Sequence, residues 1–545
     1  MQDRSSTPAV NPIHDAFAGV DSGGMALLDL SLRHGISDEE IAEMLGAPVD
    51  HIMRRRKSAL DNLVTKLGRD PSGASLEQLL ATAVGEAAQP SAELAEPAEP
   101  AEPAAPAAPA AAPTKEPGTR FDLFVRTLSG GYLAALLVAV VAYKAAFFQM
   151  LSIDPAFGVY GLVVACYILS RFFFSVLYRP AKDAGLEPRV AIVMPGFNEQ
   201  AAIARSMRAL LQLEYPADKL EIVAVNDGST DRTLEEMRKV AADDSRVRVI
   251  NFEENLGKRA AMAAGIRATS AEVIAFVDSD SVLEPEALRI LVQGFADPKV
   301  GAICGHADVL NVNESWLSRM QAVRYFTAFK VVKAAESLFN AVTCCSGCFS
   351  AYRRDAIMPR LEWWEDQSFL GIPSTFGDDR SLTNCVLRNW KVKYESRAVS
   401  HTIVPPNFRQ FMKQQLRWKR SWTRESLLVS TFMWRKHPIA ALTSYVGIAL
   451  TLIAPVVAVR TLLWQPLFEH AGFPLVYLVG VYAMAVAYGL YYAVRQHRYD
   501  GLWVCGVGFC FFYMAFLLWQ TYYAICTVRT AAWGTRPATA GMGGV

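Results

Sequence analysis

The sequence predicts an α/β domain inserted between transmembrane α-helices, with a small all-α module before them. Two observations lead to this prediction. Of the 545 residues, 52% are hydrophobic and the mean hydropathy is +0.18, yet 20% are charged, which fits a soluble domain joined to membrane segments. From residue 188 onward, short apolar runs alternate with amphipathic helical patterns, which is typical of a largely parallel sheet.

The overall charge and the cysteines exclude several classes of protein. Lys and Arg number 54 against 53 Asp and Glu, and a net charge of +1 argues against a generally basic nucleic-acid binder. The nine cysteines show no paired CxxC spacing, so we expect a reducing compartment and neither a disulfide scaffold nor a zinc site. Residues 1–20 are polar and lack the pattern of a signal peptide, so the N-terminus is predicted to stay in the cytoplasm.

Residues 1–85 are predicted to form a helix-turn-helix-like module. Its pattern is a helix over 36–46, a turn APVD and a second helix with a basic cluster at 54–57. Residues 1–80 hold 12 acids against 8 bases, so DNA binding is disfavoured and a protein partner or an inert module is preferred. Residues 86–118 contain eight prolines and predict an extended linker with a reach on the order of 100 Å.

Five apolar stretches are long enough to cross or enter a bilayer. Two precede the α/β domain within 119–180, and three lie within 438–528; they are 127–150, 157–178, 438–460, 472–494 and 501–528. Arg120, Arg126, Arg179 and Lys182 flank the first pair, whereas the loop between the two stretches has no Lys or Arg. Positive-inside counting therefore predicts a multi-pass plasma-membrane protein whose 180–437 region is cytoplasmic.

The stretch 501–528 is predicted to enter the membrane and turn back, or to lie partly at the membrane interface. A full crossing would export Arg529 and Arg536, against the charge rule. Gly506 and Gly508 are expected to permit the break. The tail, residues 529–545, should then be cytoplasmic, like the amphipathic interface segment 406–437.

Acidic residues follow two of the predicted strands. Asp227 ends LEIVAVND, while Asp278 and Asp280 end EVIAFVDSD, so these groups should converge at one edge of the sheet. The sequence has no P-loop and no GxGxxG motif after a strand, and the two side chains of DSD project the same way. The motif could therefore hold Mg²⁺ or Mn²⁺ against a diphosphate. The alternatives are solvated turns at both acidic motifs and a plain helix start at Lys258.

Seven motifs occur in a fixed order: DGS, GKR, DSD, SG…YRR, GDDR, QQxRW and WGTR. In this order they resemble the hyaluronan synthase and chitin-oligosaccharide synthase branch of the family 2 processive glycosyltransferases. The resemblance is close over 185–425, loose over the flanking membrane helices and absent from 1–120. It implies a GT-A (Rossmann-like) glycosyltransferase domain at 185–405.

The resemblance also implies roles for individual residues on the donor side. Asp227 would contact the uridine and Lys258 the nucleotide. Asp278 and Asp280 would contact the diphosphate through the metal ion.

On the acceptor side, the resemblance makes Asp379 the general base, with Asp378 beside it. Gln414, Arg417 and Trp418 occupy the QxxRW positions, with Arg417 near the diphosphate and Trp418 under the acceptor sugar. Further substrate contacts are implied at Ser346, Gly347, Arg380, Trp533 and Arg536. The alternatives are that Asp378 and Asp379 cap a helix and pair with Arg380, and that Trp418 is an interfacial anchor.

Three cysteines, at 344, 345 and 348, lie in the acceptor segment. No histidine or fourth thiol accompanies them at ligand spacing, so they are expected to line a pocket and not to bind a metal. Cys348 and His306 depart from the pattern of many relatives and leave the product open.

The function expected from the resemblance is a membrane-embedded, processive, inverting glycosyltransferase. It would polymerise a β-linked, N-acetylglucosamine-containing polysaccharide from UDP-sugars and move the chain across the membrane. Hyaluronan, which needs UDP-GlcNAc and UDP-GlcA, is preferred over a chitin-type product, which needs UDP-GlcNAc alone. The alternative from another class is a membrane-tethered helix-turn-helix regulator with a sensor domain.

Overall fold

The computed structural model describes residues 154–470, 474–496 and 502–530, together with the helical residues Val49, Met53 and Lys57. The chain divides into two units, Met1–Lys115 and Glu116–Val545, and the features below belong to the second. The rest of the helix-turn-helix-like module, the linker, the apolar stretch 127–150 and the WGTR motif lie outside the described residues.

Within the described residues the second unit contains fifteen α-helices and ten strands. The strands are β1 (Val190–Gly196), β2 (Leu220–Asp227), β3 (Val247–Phe252), β4 (Val273–Phe276), β5 (Val282–Leu283), β6 (Val300–Val309), β7 (Ser350–Arg353), β8 (Ser368–Phe369), β9 (Ile372–Pro373) and β10 (Lys391–Thr402). The helices are α1 (Pro155–Leu177), α2 (Ile203–Leu211), α3 (Thr233–Asp243), α4 (Lys258–Arg267), α5 (Ala287–Val292), α6 (Trp316–Phe326), α7 (Ala334–Leu338), α8 (Arg354–Ile357), α9 (Leu361–Glu365), α10 (Asp378–Leu387), α11 (Phe408–Ser430), α12 (Pro438–Val459), α13 (Pro474–Gln496), α14 (Leu502–Phe512) and α15 (Gln520–Cys526). Three π-helical segments extend α6, α12 and α14, over Thr327–Lys333, Arg460–Glu469 and Tyr513–Leu517.

Eight of the strands form one mixed sheet in the order β3-β2-β1-β4-β7-β6-β10-β5. The four strands β3, β2, β1 and β4 run parallel, with Val190 opposite Leu220 and Val273. Strand β7 is antiparallel to both of its neighbours, β4 and β6. The sheet confirms the predicted α/β class and has the architecture of a GT-A domain.

Apolar side chains cover both faces of this sheet. In β1, Ala191 and Val193 join one buried cluster, and Val190, Ile192 and Met194 join the cluster on the opposite face. Every residue of β1 is buried, which is why the strand reads as an unbroken apolar run and not as an alternating one. Helices on both faces therefore hold the carboxyl ends of the parallel strands in fixed positions.

Three helical segments are long and apolar enough to cross a membrane, namely Pro155–Leu177, Pro438–Glu469 and Tyr477–Gln496. A fourth candidate is the pair Leu502–Leu517 and Gln520–Cys526, whose axes differ by 42°. The expected apolar stretches beginning at 157, 438 and 472 thus correspond to helices. The helical segment that begins at Pro438 continues to Glu469, beyond the expected end at residue 460.

The position of the break in the last apolar stretch was predicted wrongly. The chain bends between Leu517 and Gln520, whereas α14 passes unbroken through Gly506 and Gly508. A Cβ at Gly506 would lie 2.6 Å from Val323 Cγ1, and one at Gly508 would lie 3.0 Å from Met320 Cε. These glycines therefore let α14 approach α6 closely; they do not act as hinges.

Candidate active site

The acidic residues that follow the strands meet at one edge of the sheet. Asp227 ends β2, and Asp278 and Asp280 come directly after β4. Strand β1 lies between β2 and β4 and is parallel to both. Because the carboxyl ends of these parallel strands share one edge, the three acidic residues lie at the same edge of the sheet.

Asp227 is 1% exposed and holds the loop that leads into α4. Its Oδ1 accepts hydrogen bonds from the backbone N–H groups of Leu256 (2.9 Å) and Gly257 (3.0 Å). Its Oδ2 accepts one from Asn255 Nδ2 (3.1 Å). The next residue, Gly228, has φ +65°, and a Cβ there would overlap the backbone of residue 254. In this structure Asp227 therefore fixes the start of α4, where Lys258 lies.

Lys258 joins the α4 loop to the DSD motif. Its Nζ lies 2.5 Å from Asp278 Oδ1. Burial lowers the pKa of Lys258, but the negative charges of Asp278, Asp378 and Asp379 outweigh burial and raise it. Burial, Asp278 and Glu199 raise the pKa of Asp280 to about 7. This edge of the sheet therefore concentrates negative charge that a cation would stabilise.

Two carboxylates are the protein groups available to a metal ion at this edge. Within the described part of the chain, no group of three or more His, Cys, Asp or Glu side chains could hold a metal ion by itself. Mg²⁺ is commonly bound through one or two carboxylates plus substrate phosphates and waters. Asp278 and Asp280 fit a divalent cation that arrives with a diphosphate.

The segment from Cys344 to Gly347 connects this edge with the GDD motif. A Cβ at Gly347 would lie 3.0 Å from both carboxylate oxygens of Asp278, so a larger residue would press on the DSD motif. Cys344 Sγ lies 3.5 Å from Asp379 Oδ2. The segment therefore places the candidate metal ligands and the candidate base on either side of one short loop.

The loop at residues 344–347 packs against a buried thiol, which in turn contacts a buried lysine. Lys333 Nζ lies 3.1 Å from Cys304 Sγ, and the backbone N–H of Ser346 donates to the same sulfur at 3.4 Å. The backbone N–H of Cys345 donates to Thr383 Oγ1 at 2.8 Å. These contacts give the cysteines packing and hydrogen-bonding roles.

His306 lies in β6, with Nδ1 2.9 Å from the Tyr394 hydroxyl.

The two aspartates of the GDD motif have different surroundings. Asp378 is 5% exposed and pairs with Arg259, whose Nε lies 3.3 Å from Asp378 Oδ1. Arg259 also donates to the carbonyl of Trp364 (2.8 Å) and to Gln367 Oε1 (3.0 Å). Asp378 therefore forms a buried ion pair with Arg259 and not with Arg380, and its role in catalysis stays a prediction.

Asp379 is the more accessible of the pair. It is only partly buried at the first turn of α10, and its Oδ1 accepts the backbone N–H of Arg380 at 2.8 Å. Its Oδ2 faces the acceptor loop at Cys344. One oxygen is thus held by the backbone of the helix, and the other contacts the thiol of Cys344.

Helix α11 carries Gln414, Arg417 and Trp418. All three lie on a helix that continues to Ser430, and the indole of Trp418 is 37% exposed. Arg324 of α6 lies over this ring, with its Cζ 5.4 Å from the centroid. A partly exposed indole beside the cleft offers an apolar face on which a sugar ring could stack.

A buried ionic contact that the sequence did not reveal fixes α11 against the GDD loop. Arg424 Nε lies 3.2 Å from Glu425 Oε1, and Arg424 Nη2 donates to the carbonyl of Phe376 (2.5 Å). Glu425 Oε2 accepts from Asn384 Nδ2 of α10 at 3.0 Å. We call these contacts the α10–α11 clamp. The only sequence signal was charge on an otherwise amphipathic helix, which does not distinguish a buried pair from a solvated one.

Comparisons with known proteins agree with this arrangement. Residues 191–360 match the family described as "Glycosyl transferase family 2". The hyaluronan synthase of Streptococcus pyogenes is 32% identical over 384 residues, which cover 70% of this chain and 90% of that protein. The N-acetylglucosaminyltransferase of Bradyrhizobium diazoefficiens is 35% identical over 286 residues, covering 50% of this chain and 58% of that protein.

A further N-acetylglucosaminyltransferase, from Azorhizobium caulinodans, is 37% identical over 245 residues, covering 45% of this chain and 62% of that protein. Among solved structures, a mannosyltransferase from Pyrobaculum calidifontis in complex with GDP-Man and Mn²⁺ is similar, with 20% sequence identity and a TM-score of 0.47. That similarity covers 70% of this chain and 99% of the mannosyltransferase chain.

The fold and the sequence matches define a glycosyltransferase. The chain belongs to the family 2 glycosyltransferases, in the branch that contains hyaluronan synthase and the N-acetylglucosaminyltransferases. The predicted fold class and family are confirmed, and the chain is a glycosyltransferase, as predicted.

Gly377 should be required for the α10–α11 clamp. It has φ +79°, and a Cβ there would overlap Ser421 Oγ and approach Arg424 Nη2 at 3.3 Å. Gly377→Ala should lower the rate of glycosyl transfer by on the order of ten- to a hundredfold, because α11 must move away from Asp379. Steady-state release of the nucleotide by purified protein measures the effect.

A matched control for this variant is Gly371→Ala. Gly371 also has φ +79°, but nothing lies within 4 Å of a Cβ built there. Both variants carry a backbone strain of about 1–2 kcal/mol, and only Gly377→Ala adds the clash. Equal loss of activity in the two variants would contradict the proposed importance of the clamp.

Proposed function

We propose that this enzyme is a membrane-embedded, processive, inverting glycosyltransferase that polymerises a β-linked, N-acetylglucosamine-containing polysaccharide from UDP-sugars. It would pass the product across the membrane through its own helices. The observation that carries the proposal is the placement of Asp278 and Asp379 on either side of the 344–347 loop, with Trp418 on a helix clamped beside them. Hyaluronan is the preferred product, and a chitin-type polymer is the alternative.

The donor side would bind the UDP moiety. Asp278 and Asp280 would hold Mg²⁺ or Mn²⁺, which when bound neutralises charge on the diphosphate. Lys258 would turn from Asp278 towards the nucleotide, and Asp227 would keep the loop before it in place for the uridine. Arg417 and Arg380 would add positive charge near the leaving diphosphate.

The acceptor side would supply the nucleophile. Asp379 takes the proton from the acceptor hydroxyl as that oxygen bonds to the anomeric carbon of the donor, and the bond from this carbon to the diphosphate breaks. Attack on the face opposite the leaving UDP inverts the configuration. Trp418 would stack under the acceptor sugar, with Ser346, Gly347 and Gln414 beside it. Trp533 and Arg536 are proposed to bind the substrate.

Removal of the base should abolish turnover but leave the donor bound. Asp379→Asn keeps the shape of the side chain and cannot accept the proton, so we expect the rate to fall at least about a hundredfold. UDP affinity, measured by calorimetry, should change little. Asp355→Asn, at an exposed position on α8, is the control. Near-normal polymerisation by Asp379→Asn would remove this residue from the mechanism.

The product and the metal requirement can be tested together. Purified full-length protein in detergent is supplied with UDP-GlcNAc, with UDP-GlcA or with both, in Mg²⁺, in Mn²⁺ or in EDTA. We expect long polymer only when both donors and a divalent cation are present, because hyaluronan alternates two sugars. Polymer from UDP-GlcNAc alone would favour the chitin-type alternative, and full activity in EDTA would contradict the metal site.

The catalytic domain and the C-terminus are proposed to be cytoplasmic. Contacts of α15 support the position of the C-terminus, because Thr521 and Thr527 bond to Lys419 and Arg420 of α11, at 2.8 and 3.1 Å. Since α11 belongs to the cytoplasmic interface segment, the chain would return to the cytoplasmic side at α15.

Cysteine labelling tests this topology in the plasma membrane. Ala538→Cys, with the exposed Cys166 and Cys526 replaced by serine, should react with an impermeant maleimide only after the cells are opened. Glu469→Cys, at the far end of the α12 segment, should react from outside intact cells. Labelling of Ala538→Cys in intact cells would overturn the predicted topology.

A further inference from the structure

Two positively charged side chains lie beside Trp418 where α6, α11 and α14 meet. The guanidinium of Arg324 lies over the rings of Trp418 (5.4 Å) and Phe509 (5.6 Å). Lys419 Nζ lies 5.0 Å from the centroid of Tyr513 and donates to the hydroxyls of Tyr513 (3.3 Å) and Thr521 (2.8 Å). We call Arg324 and Lys419 the cation pair.

The cation pair has aromatic and hydroxyl neighbours but no carboxylate. Across residues 154–470, 474–496 and 502–530, neither side chain forms an ion pair with Asp or Glu. Two other buried arginines of this enzyme have acidic partners, since Arg259 pairs with Asp378 and Arg424 with Glu425. Arg324 and Lys419 differ from these two in having aromatic rings and hydroxyls as their partners.

Holding Arg324 and Lys419 away from water without an acidic partner costs free energy, and a bound anion would offset that cost. Burial and the charge of Arg324 lower the pKa of Lys419 to about 8, and burial also lowers the pKa of Arg324. Like charges that are withdrawn from water destabilise each other, and a bound carboxylate would relieve both effects. Ionisable side chains whose pKa values are shifted in this way cluster at functional sites.

The position of the cation pair beside Trp418 indicates which kind of anion would bind there. Trp418 is the proposed platform for the acceptor sugar, and α14 belongs to the apolar segments proposed to enter the membrane. A ligand here would be part of the growing chain just after its newest sugar. A neutral N-acetylglucosamine polymer has no group to balance two cations, whereas a uronic acid carries one carboxylate per residue.

We propose that Arg324 and Lys419 form a subsite for the carboxylate of an acidic sugar in the growing polysaccharide, so that the acceptor chain contains uronic acid. This inference rests on the proposed function and makes its substrate class specific. The guanidinium and ammonium groups would donate charge-assisted hydrogen bonds to the carboxylate, while the indole of Trp418 supports the neighbouring ring. The enzyme would then select the alternating sugars through contacts with the acceptor as well as with the donor.

The test compares two tetrasaccharides of the same size with full-length protein in detergent. A hyaluronan tetrasaccharide carries carboxylates, and chitotetraose is neutral. Calorimetry gives both dissociation constants for the wild type, Lys419→Gln, Arg324→Gln and Lys419→Arg. We expect the wild type to prefer the acidic ligand and each glutamine variant to lose at least about tenfold of that preference, a change of about 1.4 kcal/mol. Lys419→Arg keeps the charge and should keep most of the preference.

A second control removes a cation elsewhere. Arg208→Gln, at an exposed position in the last turn of α2, should leave the preference unchanged. If the glutamine variants weaken both tetrasaccharides equally, the cation pair only supports Trp418 and the inference is wrong. A wild-type protein with no preference for the acidic ligand would overturn it as well.

UDP release from the same samples separates this inference from the proposed function. Selective binding of the acidic tetrasaccharide without any UDP release would support the subsite and contradict the polymerase. UDP release and polymer growth without acidic preference would support the polymerase and overturn the subsite.

Discussion

The structure depends on the α10–α11 clamp, in which a buried Arg–Glu pair on α11 bonds to α10 and to the loop that precedes α10. Arg424 and Glu425 lie side by side on α11, and together they bond to Phe376 and Asn384 around the GDD loop. Breaking one partner of such a pair leaves an uncompensated buried charge, which typically costs about 3–5 kcal/mol. The clamp therefore couples the position of Asp379 to the position of Trp418.

The clamp explains how the two proposed halves of the site are held together. The proposed donor half depends on parallel strands, whose ends bring Asp227, Asp278 and Asp280 to one edge. The proposed acceptor half depends on helices whose orientation the sheet alone does not determine. The 344–347 loop contacts both halves, since Gly347 lies against Asp278 and Cys344 lies against Asp379. A transferase needs donor and acceptor groups at fixed separation, and this loop and the clamp provide it.

Charge in this enzyme is balanced in three different ways. Arg259 and Arg424 have permanent acidic partners and serve the fold. Lys258 pairs with Asp278, a partner that it could exchange for a phosphate. The cation pair beside Trp418 forms no ion pair with an acid among the described residues. These three cases differ in whether the positive charge has a permanent partner, an exchangeable partner or no acidic partner.

The sequence by itself determined the class of fold and the family, because these depend on local patterns: apolar runs, strand-end acids and motifs in a fixed order. Only the tertiary structure decided which aspartate of the GDD motif is accessible, since Asp378 is neutralised by Arg259 from 119 positions away. It likewise showed that Gly506 and Gly508 serve close packing and not a break. Burial and pairing of a charge depend on contacts between distant segments, and a local pattern carries no record of those contacts.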